Sequence, residues 1–150
     1  MEPWVLAGIG ELVTNQISAA GILGIIDDAA VAIEGDEIAW VGPAGDLPAD
    51  WSGARRVDVE RRAVLPGFVD GHTHLAFAGD RSGEFARRMA GESYQAIAAG
   101  GGGILATVTA TRAAGFDQLV ALVRGRLRRM LTAGTTTIEV KSGYGLDTAT

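Results

Sequence analysis

The 150-residue chain has no cysteine, a single lysine and only two histidines. Without cysteine there is no disulfide framework, no thiol nucleophile and no thiolate metal site, which fits a reducing compartment. Positive charge is in short supply: 13 Lys and Arg stand against 18 Asp and Glu, a net charge of −5. Such a chain lacks the electrostatic footprint for nucleic acid or anionic membrane surfaces, and neither is expected as a partner. Long hydrophobic runs are missing too. The longest, from Ile17 to Ile26, falls well short of the ~20 residues that span a bilayer. Met1-Glu2-Pro3-Trp4 has no basic n-region of a signal peptide, and a cytoplasmic location is the expectation. What is abundant is apolar residues and glycine. At 47% hydrophobic and 21% charged the chain reads as globular. Its 22 glycines call for many tight turns, as in β-rich or α/β proteins.

Residues 1–65 read as short strands. Trp4–Val13 is apolar, and Ala29–Glu34 and Glu37–Gly42 flank Gly35-Asp36, a hairpin turn. Asp46 to Ser52 reads as loop. Arg56–Val59 and Ala63–Leu65 are two further strands around the charged turn Glu60-Arg61-Arg62. Nothing here offers a nucleophile or a ligand cluster, so a small structural β-layer is expected. At Pro66-Gly67 the character changes. Phe68–Leu75 is a strand, Gly83–Ala99 carries helical spacing, and Gly100 to Gly103 breaks it. Phe116–Ala133 is the clearest helix, with Phe116, Leu119, Leu122, Val123, Leu127, Met130 and Leu131 on one stripe. Arg124, Arg128 and Arg129 face away from it as a solvated face. Gly134 stops that helix and Thr135–Val140 follows as a β-branched strand. Strand, helix, helix and strand in that order indicate an α/β unit with a parallel sheet. Asp147-Thr148-Ala149-Thr150 reads as the first turn of another helix. Two parallel strands with little to cover them are not a stable solution, so the chain is expected to be the front part of a longer polypeptide.

Both histidines sit in Asp70-Gly71-His72-Thr73-His74. On a strand, alternate residues share a face, which starts His72 and His74 ~6.6 Å apart at the backbone. Two imidazoles converge from there on one ion at metal–nitrogen distances of ~2.1 Å. Asp70, one step back on that face, is placed to orient a ligand histidine. The plain alternative is a pair of surface or hydrogen-bonded histidines beside a turn.

The run Leu65-Pro66-Gly67-Phe68-Val69-Asp70-Gly71-His72-Thr73-His74 resembles the first barrel strand of the amidohydrolase superfamily. Three further blocks resemble the imidazolonepropionase family within it. They are His72 to Arg81, Gly91-Glu92-Ser93-Tyr94 to Ile104, and Gly134 to Leu146 with its Lys141-Ser142-Gly143-Tyr144. Gly8 to Thr14 and Ile38 to Pro43 fit it as well. Two departures are small: Arg61 stands where many members place a turn glycine, and Gly71 where a proline is frequent.

The resemblance implies an α/β fold. Residues 66–150 would be the first strands and helices of an incomplete (β/α)8 TIM barrel, preceded by part of a small β-sandwich in residues 1–65. It implies hydrolysis of 4-imidazolone-5-propanoate to N-formimidoyl-L-glutamate, with His72 and His74 on one Zn or Fe ion. Arg81, Tyr94 and Tyr144 would contact this small-molecule substrate, and the general base and acid are expected beyond Thr150. Arginine forks suit a propionate tail, and tyrosine hydroxyls add directed hydrogen bonds. Taken singly, Arg81 also reads as a loop charge, and Tyr94 as a packing residue. Tyr144, between two glycines after a strand, is the better site candidate of the two tyrosines. Gly100-Gly101-Gly102-Gly103 is not a phosphate loop, because no Gly-Lys-Ser/Thr follows. Lys141 reads as an ion-paired neighbour of Glu139. A homodimer is compatible with the resemblance, and the 150 residues alone are expected to be inactive. Another amidohydrolase, such as a cyclic amidine deaminase, and a non-catalytic truncated fragment are the alternatives.

Overall fold

A computed structural model describes residues 2–17 and 21–146. The helix start expected at Asp147 lies outside them. The chain divides into two units, Met1–Pro66 and Gly67–Thr150.

In the first unit Trp4–Val13 (β1), Ile25–Glu34 (β2) and Glu37–Pro43 (β3) form an antiparallel meander. Arg55–Asp58 (β4) and Ala63–Val64 (β5) both add in parallel to β1, at its start and near its end. Gly35, with φ +65°, makes the tight β2–β3 turn as expected. Consecutive β2 residues are buried on opposite faces of the sheet. Ala29 and Val31 pack with Ile9 and Leu12, while Ala30 and Ala32 pack with Val5. Val5 and Ile9 would share a face of a regular strand. A bulge between Leu6 and Ile9 turns them to opposite faces, and Gly8 with φ +66° sits in it. The stretch read as loop is two 3-10 turns, Ala44–Asp46 and Ala49–Trp51. They bring Leu47 and Trp51 onto the Val5 face beside Trp40. The β4–β5 connection puts Glu60 at φ +55° and Arg61 at φ +61°. A glycine would sit there without strain, and Arg61 occupies the position noted above as a departure.

The second unit holds Phe68–Thr73 (β6) and Thr135–Val140 (β7), paired in parallel. Between them lie Ser82–Met89 (α1), Tyr94–Ala99 (α2), Ile104–Ala113 (α3) and Phe116–Thr132 (α4). The helix read as continuous over 83–99 is thus two. Gly91 at φ +92° breaks it, and Ser93 restarts it by accepting a hydrogen bond from the Ala96 N–H at 3.2 Å. Helix α3 was not expected. Its Thr107, Val108, Thr109 and Thr111 are β-branched residues of low helix propensity, yet it is the best-buried helix of the unit. Leu75, Ala78, Ile97, Val108, Thr107 and Thr111 form the buried core here. Gly134 at φ +93° ends α4 as expected. Gly67 lets β6 approach β7, since a Cβ there would lie 2.2 Å from Thr136 Oγ1. The unit is mixed α/β, and its described strands form an open two-stranded sheet, not a closed barrel. Among the described residues no helix is long and apolar enough to cross a membrane.

Candidate active site

Parallel pairing brings the carboxyl ends of β6 and β7 to the same edge, the end of an α/β sheet where ligands gather. The two chain segments that leave this edge carry four of the five candidate residues. His72 is the penultimate residue of β6 and His74 lies just beyond its end. Their rings meet edge-on, with centroids 5.4 Å apart. Asp70 does not reach either ring. Its Oδ1 accepts the backbone N–H of His72 at 3.0 Å, so it shapes the strand end and not an imidazole.

His74 is held from the other strand. Its Nδ1 lies 3.1 Å from the carbonyl oxygen of Lys141. A carbonyl only accepts, so Nδ1 is the donor in this contact. Gly143 makes room for the ring, because a Cβ there would lie 2.6 Å from both Nδ1 and Cε1. Tyr144 closes the other side, its ring 5.3 Å from His74 and 5.4 Å from Phe77. The Lys141 ammonium pairs with the Glu139 carboxylate.

Next to Tyr144 is a cleft of ≈ 370 Å³ lined by Phe77, Gly79, Asp80, Arg81, Ser82, Thr107 and Tyr144. Arg81 and Tyr144 therefore share one cavity wall. Tyr94 does not line it. It lies half exposed at the start of α2, its hydroxyl 3.3 Å from where a Cβ on Gly103 would be. Asp80 accepts both the N–H and the hydroxyl of Ser82, at 2.9 Å each. These bonds hold its carboxyl below the ordinary carboxylate value.

Sequence reasoning missed the residues that hold these loops in place. Arg126 of α4 donates to the carbonyls of Leu75 and Phe77 at 2.5 and 2.7 Å. Its guanidinium also lies over the Phe77 ring, 3.5 Å from the centroid. Burial and the nearby Arg129 lower its pKa from the usual arginine value. From α3, Thr111 Oγ1 accepts the Ala78 N–H at 3.1 Å and Arg112 Nε donates to the Gly145 carbonyl at 2.9 Å. Glu84 takes Arg81 Nε on one oxygen and the Gly103 N–H on the other, both at 2.9 Å. Burial pushes the Glu84 carboxyl up, but these two bonds and the charges of Arg81 and Arg87 outweigh it, and it sits below its ordinary value. Periodicity could not have marked these residues, since each acts on a segment distant in sequence.

The histidine pair fits two of the four donor positions of a tetrahedral metal site. Among the described residues no group of three His, Cys, Asp or Glu forms one. Chemically, the arrangement offers a pair of imidazoles near a cleft with a guanidinium and a phenol on its wall.

Comparison with known proteins is consistent along the chain. Residues 29–51 match the family model described as "Imidazolonepropionase-like composite domain, bacteria". The chain is 56% identical over 146 residues to the imidazolonepropionase of Salinispora tropica, covering 97% of this chain and 35% of that protein. With the Ruegeria sp. imidazolonepropionase it shares 47% over 149 residues, 99% of this chain and 36% of that protein. It thus spans about a third of the length of the curated relatives it matches. Among solved structures it is similar to atrazine chlorohydrolase TrzN from Arthrobacter aurescens complexed with zinc. The TM-score is 0.52 at 21% identity, over 90% of this chain and 28% of that one. That likeness assigns an amidohydrolase-type fold and nothing finer.

Proposed function

Because the chain belongs to the imidazolonepropionase family over almost its whole length, we propose that the whole protein hydrolyses 4-imidazolone-5-propanoate. The product is N-formimidoyl-L-glutamate, and the bond broken is a carbon–nitrogen bond of a cyclic amide. The observation that carries this reading is the His72–His74 pair set beside a cleft walled by Arg81 and Tyr144. In the same proposal residues 66–150 open a (β/α)8 barrel, residues 1–65 contribute to a β-sandwich, and the enzyme is a cytoplasmic homodimer.

His72 and His74 would hold one Zn or Fe ion, with further ligands supplied outside the described residues. When bound, such an ion lowers the pKa of a coordinated water to around 7 and polarises a carbonyl. In this reading the chain's own residues hold the ligand atoms and orient the substrate. The Lys141 carbonyl, 3.1 Å from Nδ1, would orient the His74 ring and leave Nε2 as its metal-binding atom. Arg81 pairs with the propionate as a planar fork. Tyr144 and Tyr94 offer hydroxyls to orient the substrate, Tyr144 from the cleft wall and Tyr94 from the edge of the glycine loop. The general base and acid lie beyond Thr150 in this reading.

The test is turnover of 4-imidazolone-5-propanoate by the whole protein, with metal content measured on the same sample. His74→Ala is expected to lose both bound metal and turnover. Ammonia release from a cyclic amidine, without ring opening of the imidazolone, would replace this reading with that of a deaminase.

A further inference from the structure

The Glu84 carboxylate joins Arg81 to the glycine-rich turn. Its side chain is only 16% exposed, whereas that of Arg81 is 39% exposed. An ordinary i,i+3 surface pair would leave both carboxylate oxygens free to chelate the guanidinium. Here Oε1 accepts the Gly103 N–H, and Oε2 accepts Arg81 at Nε. Two glycines make this possible. Gly103 adopts φ +73°, and a Cβ on Gly102 would lie 2.8 Å from Glu84 Oε1.

A guanidinium has two edges that can grip a carboxylate in bidentate fashion: the Nε side and the terminal Nη1–Nη2 end. With Nε held by Glu84, Arg81, which lines the cleft, keeps its terminal edge for a second partner. We infer that Glu84 is a positioning residue: held by the Gly102-Gly103 turn, it pins Arg81 by Nε and leaves its terminal edge to select ligands that end in a carboxylate. This rests on the reading of Arg81 as the carboxylate contact, and it adds the residue that sets the specificity of that contact. Glu84 acts through Arg81 and touches no ligand itself.

The experiment is calorimetric titration of the whole protein with 3-(imidazol-4-yl)propanoate and with its primary amide. Neither measurement requires turnover. Wild type is expected to favour the acid. Glu84→Gln keeps an acceptor for the Gly103 N–H but can lose the acceptor for Arg81 Nε, and it should cut acid affinity roughly tenfold while leaving the amide unchanged. Adding Glu84→Gln to Arg81→Lys should cost nothing further, because lysine has no Nε edge to pin. Arg81→Lys alone, which leaves the Glu84–Gly103 bond in place, should erase the acid preference and serves if Glu84→Gln does not fold.

Equal losses for acid and amide would overturn the inference, as would a full Glu84→Gln effect in the Arg81→Lys background. So would a wild type with no acid preference. If the wild type turns over the imidazolone and Glu84→Gln keeps the acid preference, the hydrolase reading stands and the role of Glu84 falls. If turnover is absent but the acid preference exists and disappears in Glu84→Gln, the role of Glu84 stands without that reaction.

Discussion

The two units solve the problem of holding a shape by different means. In Met1–Pro66 the sheet buries alternate residues on both faces, and Val5, Ile9, Ala29, Ala30 and Ala32 are at most 1% exposed. Its ion pairs, such as Arg61–Asp28, lie at the surface with both side chains about 70% exposed, where such pairs contribute little. In Gly67–Thr150 the longest helix has no fully buried side chain, and Phe116 at its start is 80% exposed. The inward residue of α4 with the most specific contacts is a cation, Arg126, and what it grips is backbone. Burial fixes the first unit. In the second, the loops at the candidate site are fixed by a few bonds from side chains to distant main chain. A unit of the first kind responds to changes in volume, and one of the second kind to changes in single polar atoms.

The sharpest way to break the first half of that comparison is Ile9→Ala. Loss of a fully buried branched side chain should cost about 3 kcal/mol in denaturant unfolding of the β-unit. Arg126→Met keeps much of the bulk and removes the charge. It should cost roughly 2–3 kcal/mol, since it removes two hydrogen bonds from a charged group, each of about 1.5 kcal/mol at the low end of their range. Amide exchange should then rise at residues 75–78, and a change confined to α4 would break the comparison. Acid should also act on the two units unequally. Asp80 and Glu84 have carboxyl pKa values lowered from 3.8 and 4.5 by bonds that exist in the fold. A lowered folded value means stability that is whole above the unfolded value and lost as pH falls through the folded one. Below pH 4.5 the loops around Arg81 should therefore loosen first, seen as exchange of the Gly103 and Ser82 amides before those of β1. The smallest effect expected is a gain. Arg61→Gly relieves a positive φ at the expense of an exposed ion pair, and should raise stability by about 0.5–1 kcal/mol.

How much of this was legible follows from the range of the interactions. Trp4–Val13 and Thr135–Val140 are strands with the bounds their composition indicates, and Gly35 and Gly134 turn the chain where they should. These are local signals. The histidine pair was legible for the same reason, since a spacing of two is enough to bring the rings together. Helix α3 was hidden because its β-branched residues favour strands in isolation, and tertiary burial of Thr107, Val108 and Thr111 overrides that preference. Leu47 and Trp51 cover the sheet from a stretch whose turn residues spell loop. The supports of the site are non-local: Glu84 reaches across 19 residues, Arg112 across 33 and Arg126 across 49 and 51. No window on the sequence sees such partners. Asp70 shows the converse, a residue on the right face whose carboxylate is taken by the nearest backbone N–H.

The bond between His74 and the Lys141 carbonyl joins residues 67 apart. During synthesis at ~5–20 residues per second, His74 emerges roughly 3–13 s before its partner is made. For that interval the imidazole has neither the acceptor that fixes its proton nor the glycine-flanked loop that seats its ring. The described strands of the first unit, by contrast, pair within one contiguous stretch that ends at β5. The edge that carries the candidate site is therefore assembled late in the biogenesis of these residues.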